Sequence, residues 1–172
     1  HNFGVNSKEV EDTYIRLDQD LAWLLKTLDQ KVGKGKYTVF LTADHGAVNV
    51  PAYLSDQKIP SGYFDNRAFE TALNEFVVSE YGKEGLIEDI SNYQVFFNYE
   101  NLTAADINAE DLQKKIAHFA LQYDLMDKVY TRAELNQANY TSGVAALIQK
   151  GFNQKRSGDV FLVLDPGVIS YS

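Results

Sequence analysis

The segment Tyr37–Gly46, with the sequence YTVFLTADHG, decides how the fold of this chain is interpreted. Its first five residues are aromatic, branched or aliphatic, which is typical of a strand covered on both faces in a parallel sheet. Asp44 and His45 follow this run directly. Adjacent side chains of a regular strand point to opposite faces, so these two can converge only where the backbone turns. Gly46 permits such a turn.

Asp44 and His45 form a candidate metal or phosphate site. In open α/β sheets, ligands collect outside the carboxyl ends of the strands. A carboxylate and an imidazole at that point are donors that metal ions take. A purely structural role fits the same spacing, with Asp44 capping the next turn and His45 partly buried. The spacing alone leaves both interpretations open.

The residues before this segment predict an amphipathic helix that buries one face. Asn6 or Ser7 can cap its start, and Gly33 and Gly35 can end it. Its apolar positions recur at helical spacing: Val10, Tyr14, Leu17, Leu21, Leu24, Leu25 and Leu28. The helix and the strand would form one crossover unit of an α/β core. A strand without its normal neighbours exposes an edge, so we expect the chain to self-associate.

The remaining residues predict a small α+β subdomain with mostly antiparallel strands. Predicted helices cover residues 66–81, 109–123 and 142–152, and predicted strands cover 93–99, 128–131 and 159–164. The expected organisation is a partial metal-bearing α/β core over residues 1–50, an α+β subdomain over 51–157, and a strand returning to the core over 158–172.

Composition excludes several classes of protein. The 172 residues are 45% hydrophobic and 13% aromatic, which is enough for a packed core. A formal net charge of −8 with scattered acidic residues argues against a nucleic-acid surface, which needs clustered lysine and arginine. No stretch approaches the roughly 20 apolar residues of a membrane span. The absence of cysteine leaves the redox compartment undetermined.

Two motifs in the right order resemble the alkaline phosphatase superfamily of two-zinc phosphohydrolases. In its phosphodiesterase and phosphate-irrepressible alkaline phosphatase branches, a motif Asp-x-x-Gly-His-x-x-Gly precedes a long helix, and a later strand ends in Asp-His. His1 and Gly4 match the end of the first motif, and Asp44 and His45 match the second. Residues 50–54 and 59–65 are most similar to the phosphate-irrepressible subgroup. The resemblance implies an α/β/α sandwich, of which this chain would be a fragment.

The resemblance also implies a metal-dependent reaction. His1 would bind the zinc that faces the leaving group, and Asp44 and His45 would bind the zinc that activates the nucleophile. Two zinc ions about 4 Å apart stabilise the attacking and leaving oxygens of an in-line phosphoryl displacement. The full-length parent would hydrolyse phosphate monoesters, and the family places such enzymes in the periplasm or outside the cell.

Several parts of the family pattern are expected to lie outside this chain. It starts at His1, so the upstream aspartate and the half that carries the threonine or serine nucleophile are not in it. The family's last zinc-binding histidine would follow Ser172. His118 lies off the apolar stripe of its predicted helix and is expected on the surface. We therefore expect a C-terminal fragment with no catalytic nucleophile, weak zinc binding and no phosphatase activity of its own.

Other functions remain open at this stage. A nucleotide phosphodiesterase, a sulfatase or a cofactor-independent phosphoglycerate mutase also carries a strand that ends in Asp-His. The part of the protein that holds the nucleophile distinguishes them. A non-catalytic binding or interaction module is the alternative of another class, and in it the Asp44 and His45 pair would be structural.

Overall fold

The chain folds into two compact units, His1–Pro60 and Ser61–Ser172. The computed structural model describes residues 3–171, so His1, Asn2 and Ser172 lie outside the described residues. The finer division into residues 1–50, 51–157 and 158–172 stays a prediction.

The first unit consists of one long helix, one short helix and extended loops. Helix α1 is Lys8–Leu28 and continues into a π-helical turn at Asp29–Gly33, whereas α2 is Pro51–Asp56. The Ser7 hydroxyl accepts a hydrogen bond from the Val10 amide at 3.2 Å, which confirms one of the two predicted caps. Gly33 ends the helical run at a φ of 106°. Within residues 3–171, no helix has the length and apolar character required to cross a membrane.

Two predictions for the first unit are wrong. Residues 37–41 form no strand, and the Phe40 side chain is 88% exposed. No residue of the predicted buried stripe of α1 is buried: four are exposed and three are half-buried. A parallel strand needs hydrogen-bonding neighbours, and an amphipathic helix needs an apolar surface to cover it. The described elements of the first unit supply neither. The expected self-association stays a prediction.

The second unit contains all six strands of the described residues. Its elements are β1 Gly62–Asp65, α3 Asn66–Tyr81, β2 Ile87–Ser91, β3 Gln94–Phe97, α4 Tyr99–Ala104, α5 Ala109–Leu121, β4 Met126–Thr131, α6 Arg132–Gln137, α7 Gly143–Gly151, β5 Val160–Leu164 and β6 Val168–Tyr171. Strands β2, β3, β5 and β4 form a sheet in that order. Its pairing is antiparallel, as predicted, but β2 and the strand order were not predicted. Strands β1 and β6 pair in parallel.

Helices α3 and α5 contribute the helical half of the core. The Asp65 carboxylate caps α3 by accepting from the amides of Arg67 and Ala68, each at 3.0 Å. Asn108 caps α5, as predicted. The core residues of these helices and of the sheet include Phe69, Leu73, Val77, Val95, Phe97, Leu112, Ile116, Val160 and Leu162. Burying one such side chain stabilises the fold by about 1.5–3 kcal/mol.

A buried carboxylate, that of Asp159, joins several elements of the second unit. Only 1% of Asp159 is exposed, and it accepts hydrogen bonds from the Phe97 amide at 2.9 Å and the Tyr99 hydroxyl at 2.5 Å. The Arg132 Nε lies 2.9 Å from Asp159 Oδ1 without the alignment of a hydrogen bond, so their attraction is that of an ion pair. The other guanidinium nitrogens of Arg132 donate to the carbonyls of Gln154 and Ser157. This network fixes the entry to β5.

We predict that Asp159→Asn lowers the free energy of unfolding by about 3 kcal/mol. This value is the lower end of the range that is typical when one partner of a buried ion pair is removed. The lower end applies because the Arg132 side chain is 23% exposed and water partly solvates its charge. Urea unfolding of the 172-residue chain measures the loss. Asp89→Asn is the matched control, because Asp89 is exposed on β2. Equal stability of the two variants would contradict the role of the network.

Burial and the hydrogen bond to Asp159 raise the pKa of Tyr99 to about 12 from an ordinary 10.0. A raised pKa stabilises the folded state while the hydroxyl is protonated. The stability that Tyr99 adds over Tyr99→Phe is therefore constant below pH 10 and declines as the pH rises towards 12. Urea midpoints of the two proteins across this range measure the decline. A difference that does not change with pH would contradict it.

Candidate metal centre

The side chains of Asp44 and His45 converge on one loop of the first unit. Asp44 Oδ1 accepts a hydrogen bond from the His45 amide at 3.0 Å, and His45 Nε2 lies 3.4 Å from Asp44 Oδ2. The side chains are 86% and 71% exposed. The turn that the sequence predicted at this point therefore brings the two side chains together.

The backbone of Gly46 orients the imidazole. His45 Nδ1 lies 2.8 Å from the Gly46 carbonyl oxygen. A carbonyl can only accept, so in this contact the imidazole donates from Nδ1–H. Imidazoles that bind metals usually hold their other ring nitrogen in this way.

The donor set fits part of a zinc site. Zinc takes imidazole nitrogen and carboxylate oxygen at about 2.0–2.2 Å, so two such donors on one tetrahedral ion lie about 3.3–3.5 Å apart. The 3.4 Å between His45 Nε2 and Asp44 Oδ2 agrees with that separation. A direct ion pair has the same length, and the role of metal ligand therefore stays a prediction for both residues.

Further donors are not found near this pair in the part of the chain that the structure describes. No group of three or more histidine, cysteine, aspartate and glutamate side chains gathers within residues 3–171. The predicted ligand His1 lies outside the described residues. His118 is exposed on α5, as predicted, and its ring lies 3.0 Å from the Gln122 amide nitrogen.

The segments that follow the two motifs lie side by side in the first unit. The Asn6 side-chain amide donates to the Asn49 side-chain oxygen at 2.9 Å, across 43 residues of sequence. A Cβ atom on Gly4 would lie 2.6 Å from Val50 Cγ2, so a side chain at Gly4 would force Val50 away. Gly4 is therefore required for this close approach. Sequence reasoning placed Gly4 in the first motif but missed its contact with Val50.

Asn6 and Val50, together with Tyr53, line a hollow of about 190 Å³ in the first unit. Tyr53 is half-exposed at its edge. Gly4 also lines the hollow. The two motifs are thus followed by chain segments that share one local surface.

Comparison with known proteins identifies the family. A sequence model described as "Type I phosphodiesterase / nucleotide pyrophosphatase" matches residues 1–172. A protein of Myroides odoratus named calcium-transporting ATPase is 43% identical over 96% of this chain, and alkaline phosphatase PafA of Elizabethkingia meningoseptica is 35% identical over 99%. A crystal structure of wild-type alkaline phosphatase PafA matches all of this chain at 35% identity, with a TM-score of 0.89.

The chain spans 30–31% of the length of these two relatives and 33% of the PafA structure. The predicted alkaline phosphatase-like α/β fold is confirmed by the match to PafA. The predicted membership of the alkaline phosphatase superfamily is confirmed by the match of the family model along residues 1–172. The chain belongs to the type I phosphodiesterase / nucleotide pyrophosphatase family, within the alkaline phosphatase superfamily.

Proposed function

We propose that this chain is part of a longer two-zinc phosphohydrolase that cleaves phosphate monoesters. Asp44 and His45 would bind one zinc, and His1 would bind the other. The observation that carries the proposal is the 3.4 Å approach of His45 Nε2 to Asp44 Oδ2, in the Asp-His motif by which the chain resembles the family. The name alkaline phosphatase, carried by the relative PafA, supports the monoester as substrate.

The described residues explain how this loop would prepare a metal site. The Gly46 carbonyl accepts a hydrogen bond from His45 Nδ1, and His45 Nε2 lies 3.4 Å from Asp44 Oδ2, so both atoms would face one metal ion. Asp44 supplies a negative charge beside it, which favours a cation. When bound, zinc provides the positive charge that stabilises the attacking and leaving oxygens of a phosphoryl transfer.

The contact between the two motif-bearing segments supports a shared site. Gly4 follows His1 by three residues, and Val50 follows His45 by five. Because Gly4 and Val50 touch and Asn6 donates to Asn49, the ends of both motifs are held on one surface of the first unit. Two metal ions that act on one phosphoryl group need such a common surface.

Three alternatives have distinct outcomes. A nucleotide phosphodiesterase would cleave bis-p-nitrophenyl phosphate faster than p-nitrophenyl phosphate, and a sulfatase would prefer p-nitrophenyl sulfate. A non-catalytic module would contain no stoichiometric metal at Asp44 and His45. The family description includes nucleotide pyrophosphatases, which favours the diesterase as the second candidate. A periplasmic or secreted location is proposed from the family resemblance.

We predict that Asp44→Asn and His45→Gln each lower the kcat/KM of the full-length protein for p-nitrophenyl phosphate on the order of 100-fold or more. Replacing a residue that only supports a metal ligand already lowers metal affinity or activity about 10–100-fold. Zinc content after dialysis, measured by elemental analysis, is expected to fall by about one ion per chain.

Matched controls come from the same chain. His118→Gln removes an exposed histidine whose ring contacts Gln122, and Asp89→Asn removes an exposed carboxylate. Both should keep wild-type activity and zinc content. Full zinc content and activity in His45→Gln would disprove the metal role of this pair.

We predict that the 172-residue chain alone binds zinc weakly and does not hydrolyse phosphate esters. Zinc usually takes about four donors, and the described residues bring two together. Isothermal titration with zinc and an assay with p-nitrophenyl phosphate test both statements. Turnover that survives removal of contaminating phosphatase, and that is lost in His45→Gln, would contradict the prediction.

A further inference from the structure

The chain segments that follow the two motifs meet where Gly4 approaches the side chain of Val50. A Cβ atom on Gly4 would lie 2.6 Å from Val50 Cγ2, whereas an ordinary contact begins at 3.4 Å. The two segments would therefore have to separate by about 0.8 Å to admit a methyl group at Gly4. Val50 can yield little, because the χ1 angle of a β-branched side chain is restricted. The hydrogen bond from the Asn6 side chain to Asn49 Oδ1, at 2.9 Å, lies beside this contact in sequence on both segments.

The backbone conformation does not explain the glycine at position 4. Gly4 has no positive φ, in contrast to Gly33 and Gly35, so its backbone would accept alanine. Among the described residues outside Phe3–Val5, the atoms within 4 Å of the Cβ position belong to Val50. The obstacle to a side chain at Gly4 is therefore the opposite segment.

Both sides of the contact are tied to the start of a helix. The Ser7 amide donates to the Gly4 carbonyl at 2.9 Å, and Ser7 is the N-cap of α1. Val50 is the N-cap of α2, and its carbonyl accepts from the Leu54 amide at 3.2 Å. Each residue is thus held by a hydrogen-bonded turn, so a change at the contact is passed on to the segments that precede it.

The contact also gives the shortest connection between the two motifs. Gly4 follows His1 by three residues, and Val50 follows His45 by five. Three and five residues of extended chain reach at most about 11 and 18 Å. The other connection between the motifs runs along the chain through the whole of α1.

We propose that Gly4 and Val50 are positioning residues that set the distance between the two metal-binding motifs. This inference rests on the proposed phosphohydrolase function. Gly4 would act by having no side chain, and Val50 by filling the space opposite. Two metal ions that stabilise the attacking and leaving oxygens of one phosphoryl group need a defined separation. A misplacement of about 1 Å can lower a rate on the order of 100-fold.

The test is a double-mutant cycle in the full-length protein, in which Val50→Ala restores room for the added methyl group. Without Val50 Cγ2, the nearest atom of residue 50 to a Cβ on Gly4 is Val50 Cβ at 3.7 Å, an ordinary contact. We expect Gly4→Ala to lower the kcat for p-nitrophenyl phosphate on the order of tenfold or more. In the Val50→Ala background, the same substitution should lower kcat less than about threefold.

The distance between the zinc ions is a readout that a merely structural role would not change. Gly4→Ala replaces no proposed ligand, so the zinc content after dialysis should stay at the wild-type level. The anomalous signal of zinc in crystals of the full-length protein should place the two ions further apart in Gly4→Ala. The double variant should return them to the wild-type distance. If Gly4 only stabilised the fold, Gly4→Ala would lower the melting temperature and leave the kcat of the folded, zinc-loaded protein unchanged.

Gly151→Ala is the matched control for the glycine substitution. Gly151 also has no positive φ, and a Cβ atom there would meet nothing within 4 Å. This variant should keep the wild-type kcat and zinc–zinc distance. Asn49 offers a second pair of variants if Gly4→Ala does not fold. Asn49→Leu removes the acceptor for Asn6 and should lower kcat about threefold, whereas Asn49→Asp keeps an acceptor and should not.

The outcomes separate this inference from the proposed function. An equal cost of Gly4→Ala in both backgrounds, or an unchanged zinc–zinc distance, would overturn the positioning role. If His45→Gln loses zinc and activity while Gly4→Ala and Asn49→Leu keep the wild-type kcat, the proposed function stands and only the positioning role is disproved. Full zinc content in His45→Gln would disprove the proposed function, and this inference with it.

Discussion

Backbone hydrogen bonding is the constraint on which both units depend. The second unit contains partners for all its strands, since β3 and β4 flank β5 and β1 pairs with β6. The segment at residues 37–41 has a strand-like sequence, but none of the described elements pairs with it. A peptide group in a sheet is stable only with a partner, so this segment stays extended and exposed. The loop with Asp44 and His45 follows this segment directly and is exposed as well.

Sequence periodicity predicted the elements that are long enough to show it. Helix α3 was predicted at its observed bounds, and α5 and α7 were predicted within two residues of theirs. The caps at Ser7 and Asn108 could be predicted because a capping side chain accepts a hydrogen bond from an amide only two or three residues further along the chain. Strands β1, β2 and β6 and helices α2, α4 and α6 were missed; each has four to six residues, a length at which a period in the sequence is a weak signal. Burial of α1 depends on neighbours that its own sequence does not encode.

The candidate metal centre could be predicted only where the chemistry is local. Asp44, His45 and Gly46 are consecutive, so the convergence of the two side chains follows from a turn within three residues. The contacts of Gly4 with Val50 and of Asn6 with Asn49 join residues more than 40 positions apart in the sequence. No periodic pattern in the sequence predicts contacts of this kind.

The charge of the chain bears on how a phosphate ester would be bound. These 172 residues contribute a formal net charge of −8, which disfavours the approach of an anion. Asp44 adds negative charge at the proposed site, and the exposed His45 lies beside it. Divalent metal ions are often the largest charges in such a site and reverse its local potential. In the proposed enzyme, zinc would therefore be needed to bind the substrate as well as to stabilise the transition state. Loss of either Asp44 or His45 should then raise the KM for a phosphate ester in addition to lowering kcat.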